Sequence, residues 1–326
     1  MPIRYGILST ARIAQNQHIP SFQGAADAEL LAISSRTQAR ADEIASQYGI
    51  PRAYGTYEAL LADPDIDAVI VATPNSLHHK WALAAARAGK HILCEKPLAT
   101  SVAEADEMIA GAAEHGVLLM EGFTPRFNPQ DAVVRRWIDE GAIGDIVVVR
   151  AELTYTIRDW DTDSRTRADL AGGALMDAGC YCVNQIRFIM GSEPLTAQAM
   201  QRSRLGPEVD TTFCGLLRFP GDRLAYLLTS MEEPFRAACE VIGTAGRVDI
   251  PSVFGGEQVT LTSAEGETTE TFAPINRFTA QLDHFSACIQ TGAPLRLPPQ
   301  DGRANTAALV ALKRAALEGG TVAVER

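Results

Sequence analysis

The sequence predicts an α/β domain with a parallel, doubly wound sheet, followed by an α+β domain with a large, mostly antiparallel open sheet. In residues 3–120, short apolar runs alternate with longer segments of helical period, which is typical of βαβ units. After Gly122, β-branched and aromatic runs are separated by Gly, Pro and Asp turns, as in antiparallel sheets. We therefore expect one domain over residues 1–122 and a second over residues 123–326, whose terminal helix can pack back on the first.

The first domain is predicted to contain five strands and five helices. The apolar runs of strand length cover residues 3–8, 29–34, 66–72, 91–94 and 117–120. The segments rich in Ala, Leu, Glu and Arg at helical spacing cover residues 11–22, 38–48, 57–62, 76–88 and 102–115. Ligands of such sheets bind beyond the carboxyl ends of the strands, so the residues that follow each strand are the first candidates for chemistry.

The second domain is predicted to combine four strands with four helices. The strands cover residues 146–155, 213–219, 223–229 and 237–242. The helices cover residues 130–140, 174–190, 278–291 and 302–318.

Composition excludes several classes of protein. The chain has 326 residues and a net charge of −11, and it has no block of Lys and Arg with which to bind a phosphate backbone. No apolar run approaches the roughly 20 residues of a membrane helix, and the amino terminus lacks the features of a signal peptide. The six cysteines show neither zinc-site nor disulfide spacing. We predict a cytoplasmic protein with no metal site and no nucleic-acid or membrane partner.

A candidate phosphate-binding turn follows the first strand. The glycines of such a loop would fall at positions 9 and 11, where the chain has other small residues. Small side chains let main-chain N–H groups and the amino end of a helix approach a pyrophosphate. The alternative is an ordinary strand-to-helix turn. The candidate pyrophosphate residues are Ser9, Thr10, Ala11, Arg12 and Ile13.

The end of the second strand favours NADP over NAD. NAD-specific domains usually place a carboxylate here to bind the ribose 2′-hydroxyl, whereas this chain has Ser35 followed by Arg36. A hydroxyl and a guanidinium suit a 2′-phosphate, which a carboxylate would repel. Ser35 can also cap the following helix while Arg36 is solvated.

The catalytic candidates lie on two different segments. Lys96 follows a buried strand, between Glu95 and a proline, which places it at the carboxyl edge of the sheet. Asp177 and Tyr181 are spaced i and i+4 on a glycine-rich helix, so a carboxylate and a phenol share one face. A nearby cation such as Lys96 would make the phenol a competent acid or base. The alternatives are a solvated lysine, a core tyrosine and an exposed aspartate.

The motifs together resemble the Gfo/Idh/MocA oxidoreductases. The resemblance extends from the phosphate turn through Thr73-Pro74-Asn75, Glu95-Lys96-Pro97 and the glycine-rich helix to Asn276-Arg277-Phe278. Two features resemble one branch of the family: Tyr181, in a place where many members have histidine, and Ser35-Arg36. That branch contains NADP-dependent D-xylose dehydrogenases, dimeric dihydrodiol dehydrogenase and glucose–fructose oxidoreductase.

The resemblance implies a Rossmann domain and an open sheet that commonly forms a subunit interface, hence a homodimer or homotetramer. It also implies hydride transfer between NADP and a carbinol carbon of a sugar, polyol or cyclic diol. Lys96 and Tyr181 would then flank the reacting hydroxyl, and Asp177 would orient them. The further residues expected around the cofactor are Thr73, Pro74, Asn75, Leu77, His78, Glu95, Lys96, Glu121 and Arg126.

Substrate choice is less defined by the sequence. Arg158, Trp160, Arg165 and Arg167 crowd one loop, which suits an anionic or extended substrate or is simply a solvated charged loop. The candidate substrate residues are Trp160, Arg167 and Phe278. Two other functions occur among proteins that this chain resembles: NAD-dependent glycosidases that oxidise the sugar transiently, and nucleotide-sensing regulators without turnover.

Overall fold

The computed structural model describes all 326 residues, and the chain divides into two compact units. The first unit contains Met1–Phe123 and Asn276–Arg303, and the second contains Thr124–Ile275 and Ala304–Arg326. The segment Asn276–Arg303 lies beyond the 1–122 boundary predicted for the first domain. The return of a later segment to the first unit cannot be recognised from composition, because its residues form an ordinary amphipathic helix.

The first unit is built on a six-stranded parallel sheet in the order β3-β2-β1-β4-β5-β6. This order confirms the predicted doubly wound α/β fold. The strands are β1 (Ile3–Leu8), β2 (Ala28–Ser34), β3 (Arg52–Tyr54), β4 (Ala68–Val71), β5 (His91–Cys94) and β6 (Leu119–Glu121).

The helices of this unit lie where the periodicity predicts them, apart from the first. The predicted helix over 11–22 is a π-helical segment, Ala14–His18, that continues into the short helix α1 (Ile19–Ser21) and a 3-10 turn. The other helices are α2 (Gln38–Tyr48), α3 (Tyr57–Leu61), α4 (His78–Arg87), α5 (Val102–Glu114) and α8 (Arg277–Thr291). Strand β3 was not predicted, because it has only three residues and all are half-buried, so it has no apolar run.

The second unit is built on a nine-stranded sheet in the order β14-β13-β12-β11-β7-β10-β9-β8-β15. All neighbours are antiparallel except β7 and β10, so the prediction of a large, mostly antiparallel sheet is confirmed. The strands are β7 (Ile146–Thr156), β8 (Thr196–Arg202), β9 (Thr212–Arg218), β10 (Leu224–Ser230), β11 (Glu232–Gly243), β12 (Gly246–Ile250), β13 (Gln258–Ser263), β14 (Gly266–Thr271) and β15 (Val322–Ala323).

The helices of the second unit are α6 (Gln130–Asp139), α7 (Cys180–Met190) and the part of α9 (Pro299–Glu318) that follows Arg303. A π-helical segment, Leu175–Gly179, precedes α7. Strands β8 and β12–β15 escaped prediction because they are short or polar. The strand β14, for example, consists of Gly, Glu and Thr and is almost fully exposed.

Alternation along the strands of the second sheet separates a buried face from an open one. Val149, Ala151 and Leu153 of β7 are buried, as are Ala225 and Leu227 of β10, while the residues between them are more exposed. Five of the six cysteines are buried, and none of the six forms a disulfide bond. No helix is long and apolar enough to cross a membrane, and no group of three or more His, Cys, Asp or Glu side chains could hold a metal ion.

Candidate active site

The turn after β1 keeps a glycine-like backbone without a glycine. Ser9 has a φ of 128°, in the region that glycine adopts readily and that strains other residues. Its hydroxyl accepts a hydrogen bond from the Ala11 N–H at 3.1 Å, which holds the turn. The glycines of a phosphate-binding loop are therefore absent from the sequence, but the turn has a backbone conformation that such glycines usually adopt.

Hydroxyl groups gather beside this turn, at the carboxyl ends of β1 and β2. The hydroxyls of Thr10 and Ser35 lie 3.4 Å apart, and Ser35 is buried. The side chains of Arg12 and Arg36 are exposed. The structure thus brings together the predicted 2′-phosphate pair and one residue of the predicted pyrophosphate turn.

The loop after β4 contains a buried polar atom without a partner. Thr73 Oγ1 is buried and has no hydrogen-bond partner, which is costly unless a ligand or water satisfies it. Pro74, Asn75 and Leu77 follow as partly exposed residues in a 3-10 turn. An orphan hydroxyl beside partly exposed residues, at the ligand-binding edge of the sheet, fits a nucleotide cofactor.

Both ring nitrogens of His78, in contrast, contact main-chain carbonyl oxygens. The residue is fully buried, and its ring nitrogens lie 2.8 Å from the Pro97 carbonyl oxygen and 2.9 Å from that of Thr73. Burial lowers the pKa of His78. The ring ties the loop after β4 to the loop after β5, so this side chain shapes the predicted cofactor pocket from behind.

Lys96 follows β5 and lies beside a buried carboxylate. The side chain of Lys96 is partly exposed, whereas Glu95 is buried and accepts the Lys96 main-chain N–H at 3.3 Å. The other oxygen of Glu95 lies 2.7 Å from Nε2 of His18. Glu121, at the end of β6, is also buried and accepts the Leu98 N–H at 2.5 Å. The two carboxylates therefore fix the loop that carries Lys96.

In the second unit, two glycines and an aspartate set the start of the helix that carries Asp177. Gly173 has a φ of 110°, and a Cβ there would lie 2.3 Å from Asp210 Oδ1. Asp210 accepts the Leu175 N–H through its carboxylate at 2.7 Å and the Ala174 N–H through its carbonyl at 2.9 Å. Burial raises the pKa of this carboxyl group. A side chain at Gly172 would likewise meet the Arg165 carbonyl oxygen, so both glycines are required.

Asp177 receives two partners from outside its own helix. The Tyr155 hydroxyl on β7 donates a short hydrogen bond to Asp177 Oδ2, and Arg165 Nη1 lies 3.6 Å from the same oxygen. The Arg165 guanidinium also lies over the Tyr155 ring, 4.9 Å from its centroid. Tyr181 is partly exposed and packs edge-on against Phe254, with ring centroids 4.8 Å apart. The carboxylate and the phenol are thus both partly accessible, one turn apart.

The remaining predicted residues are engaged within their own units. Arg126 pairs with Asp131 at 3.2 Å and stacks on Phe188. Trp160 packs against a small apolar cluster and lies under the Arg204 guanidinium. Arg167 forms a bidentate pair with Asp169 on its own loop, which neutralises the charge expected to meet a substrate. Phe278 packs edge-on against His18 in the first unit, with ring centroids 5.2 Å apart.

Three residues at these centres were missed by sequence reasoning: His18, Tyr155 and Asp210. Each acts on a residue at least 22 positions away, so no local spacing connects the partners. Tyr155 stands at a half-buried position of a predicted strand, which is the only sequence signal that any of them offers.

Comparison with known proteins gives matches over almost the whole chain. Residues 3–123 match the model of the oxidoreductase family with an NAD-binding Rossmann fold, and residues 132–249 match the Gfo/Idh/MocA C-terminal domain. D-xylose 1-dehydrogenase (NADP(+)) 2 of Haloferax volcanii is 34% identical over 98% of this chain and 99% of its own length. Trans-1,2-dihydrobenzene-1,2-diol dehydrogenase of Xenopus laevis is 34% identical over 77% of this chain and 76% of its own length.

A solved structure agrees with these matches. The aldose-aldose oxidoreductase of Caulobacter crescentus, complexed with glycerol, superposes with a TM-score of 0.91 at 32% identity, over 99% of this chain and 100% of that protein. The motifs at 73–75 and 95–97, the parallel sheet order and both matched domains agree with one another. The chain therefore belongs to the Gfo/Idh/MocA family of oxidoreductases.

Proposed function

We propose that this protein is an NADP-dependent dehydrogenase that transfers hydride between NADP and a carbinol carbon of a sugar, polyol or cyclic diol. The proposal is carried by one observation in each unit: Lys96 lies beside buried Glu95 in the first, and Tyr181 lies one turn from Asp177 in the second. The relatives named for D-xylose, dihydrodiol and aldose oxidation or reduction support the substrate class.

The first unit would hold the cofactor through local hydrogen bonds and charges, because a protein with a net charge of −11 does not attract a polyanion as a whole. The main chain of residues 9–13 would face the pyrophosphate, and Thr10, Ser35 and Arg36 would bind the 2′-phosphate. Thr73 Oγ1 would gain the partner it lacks. NADP, when bound, accepts or supplies the hydride.

The protein's own part in the reaction is proton transfer and orientation. In the oxidative direction, the Tyr181 phenolate would take the proton of the substrate hydroxyl. The Lys96 ammonium would stabilise the negative charge that develops on the substrate oxygen. Asp177, fixed by Tyr155 and Arg165, would accept a hydrogen bond from a neighbouring hydroxyl of the substrate and so orient the sugar.

A substrate screen tests this function directly. Aldoses, inositols and dihydrodiols would be offered with NADP and with NAD in parallel, and formation of reduced nicotinamide followed by its absorbance. We expect turnover with at least one polyol or diol and a preference for NADP. Hydrolysis of aryl glycosides by protein that keeps NAD through purification would instead favour the redox glycosidase. NADP binding without any turnover would favour a nucleotide-sensing regulator.

The open face of the second sheet supports a homodimer. Exposed apolar side chains lie on three neighbouring strands: Met200 on β8, Leu216 on β9, and Leu224 and Tyr226 on β10. Such a patch marks an interaction site. The charges on the same face are already paired, Arg150 with Glu240 and Arg236 with Glu152, so a second copy meets no net repulsion.

The oligomeric state is measured by light scattering. We expect a dimer or tetramer, and we expect Leu216→Glu to dissociate it, whereas Leu317→Glu at a similarly exposed leucine on α9 should not. A monomeric unmodified protein would refute the interface. The cytoplasmic location stays a prediction.

A further inference from the structure

A buried histidine lies behind the predicted catalytic lysine. His18 is 3% exposed and Glu95 is 7% exposed, and Nε2 of the histidine lies 2.7 Å from Oε1 of the glutamate. His18 ends the π-helical segment Ala14–His18, which follows the candidate phosphate turn. The Phe278 ring packs edge-on against the imidazole and fixes its plane. One element thus connects the turn expected to hold the cofactor with the carboxylate beside Lys96.

His18 is the side chain that is hydrogen-bonded to the Glu95 carboxylate, and it favours the ionised form of this group. Burial acts to raise the pKa of Glu95, but the hydrogen bond from His18 and the nearby charge of Lys96 help to bring it below the ordinary value. Because Glu95 is ionised, His18 Nε2 carries the hydrogen and donates it. The other nearby carboxylate, Glu121 on β6, directs Oε1 to the Leu98 N–H.

We propose that His18 is a positioning residue for Lys96. It holds Glu95 ionised and in one orientation, and Glu95 in turn holds the Lys96 main chain and supplies a negative charge near the ammonium. Without the histidine, burial raises the pKa of Glu95 against fewer opposing groups, so the carboxyl group takes up a proton more readily. The proposal rests on the proposed function, because it assigns Lys96 its role in that reaction.

Four variants separate positioning from structure. His18→Leu removes the donor, and His18→Gln keeps an amide N–H of similar reach. Glu95→Gln removes the charge while keeping the shape. His79→Leu is the matched control, because His79 on α4 and Glu107 on α5 form a pair with a 2.6 Å separation at the protein surface. NADP affinity and kcat would be measured for each as a function of pH.

We expect His18→Leu to lower kcat about tenfold at neutral pH, with a loss that shrinks as the pH rises and Glu95 ionises without help. Glu95→Gln should lower kcat at every pH, and His18→Gln should recover most of the activity. The Kd for NADP should change less than about twofold in all variants. A loss in His18→Leu that is the same factor at every pH, or no loss at all, would overturn the proposal.

A second measurement needs no substrate. Acylation of Lys96 by acetic anhydride, followed by mass spectrometry, reports how readily its ammonium loses a proton. We expect faster acylation at neutral pH in His18→Leu and Glu95→Gln than in the unmodified protein and His79→Leu. Equal rates in Glu95→Gln and the unmodified protein would overturn the proposal even if His18→Leu does not fold. If no substrate is turned over, the proposed function fails, while this measurement still decides the role of His18.

Discussion

The two carboxylates beside the predicted catalytic groups differ in how they are held. Glu95 is buried, follows the strand β5 of the parallel sheet, and is held by the buried His18 and the main chain. Asp177 has 23% of its side chain exposed, and its partners are Tyr155 on a strand and Arg165 on the loop 157–171. The first carboxylate is set by the core of its unit, whereas the second depends on a surface loop.

This difference matches the two tasks that a dehydrogenase divides between its parts. The cofactor is constant, so the groups that face it gain from rigid elements at the edge of a sheet. Substrates differ among relatives, and loops tolerate the changes that a new substrate demands. We therefore expect substitutions near Glu95 to affect every substrate alike and substitutions near Asp177 to change the choice among substrates.

Loss of the lysine should have the largest effect. We expect Lys96→Met to lower kcat by about 10²- to 10⁴-fold, because the charge that stabilises the developing oxyanion is removed. The Kd for NADP, measured by quenching of protein fluorescence, should change little. Lys80→Met, on the surface of α4, is the control. Near-normal turnover by Lys96→Met with the best substrate would contradict the assignment.

The cofactor preference should depend on Arg36. We expect Arg36→Ala to raise the KM for NADP by roughly 10- to 100-fold, the value of a hydrogen-bonded ion pair with phosphate, and to leave the KM for NAD nearly unchanged. Arg40→Ala is the matched control, since Arg40 lies in the first turn of α2, which begins two residues after Arg36, and pairs with Glu43. If both cofactors lost affinity equally, Arg36 would not read the 2′-phosphate.

In both units the sequence predicted candidate groups but not the side chains that hold them, for a physical reason. Lys96, Ser35 and Arg36 follow strands, and the rule that ligands meet strand ends needs only local patterns. Asp177 and Tyr181 were predicted from helical spacing. The partners His18, Tyr155 and Asp210 were not found, because hydrogen bonds between distant segments are decided by packing and not by period. Strand β3 and the polar strand β14 were missed because neither carries an apolar alternation.

Substitution of Tyr155 tests the role of Asp177, the carboxylate that depends on the loop 157–171. We expect Tyr155→Phe to lower kcat/KM by about five- to tenfold, because Asp177 loses a charge-assisted hydrogen bond and orients the substrate less well. The loss should differ among sugars, while the KM for NADP stays unchanged. Tyr48→Phe, in the first unit, is the control. An identical loss for all substrates would mean that Asp177 does not select among them.

The smallest expected effect concerns stability and compares Glu95 with a carboxylate at the opposite edge of the same sheet. Asp63 precedes β4 and receives hydrogen bonds from Arg52 at 2.6 Å and Tyr54 at 2.7 Å. Burial acts to raise its pKa, but these hydrogen bonds and that of the Asp65 N–H prevail and lower it from 3.8 to about 2. A carboxyl group with a depressed pKa stabilises the fold above its unfolded pKa, and this contribution is lost as the pH falls through the folded value.

We therefore expect Asp63→Asn to lower the free energy of unfolding at neutral pH by up to about 2 kcal/mol, measured by urea denaturation, without a change in kcat. The difference from the unmodified protein should narrow between about pH 4 and pH 2, where Asp63 itself becomes protonated. Asp42→Asn, an exposed carboxylate on α2, is the control. Glu95→Gln should show the reverse pattern, with kcat more affected than stability. A loss of activity in Asp63→Asn would mean that the two edges of the sheet are not independent.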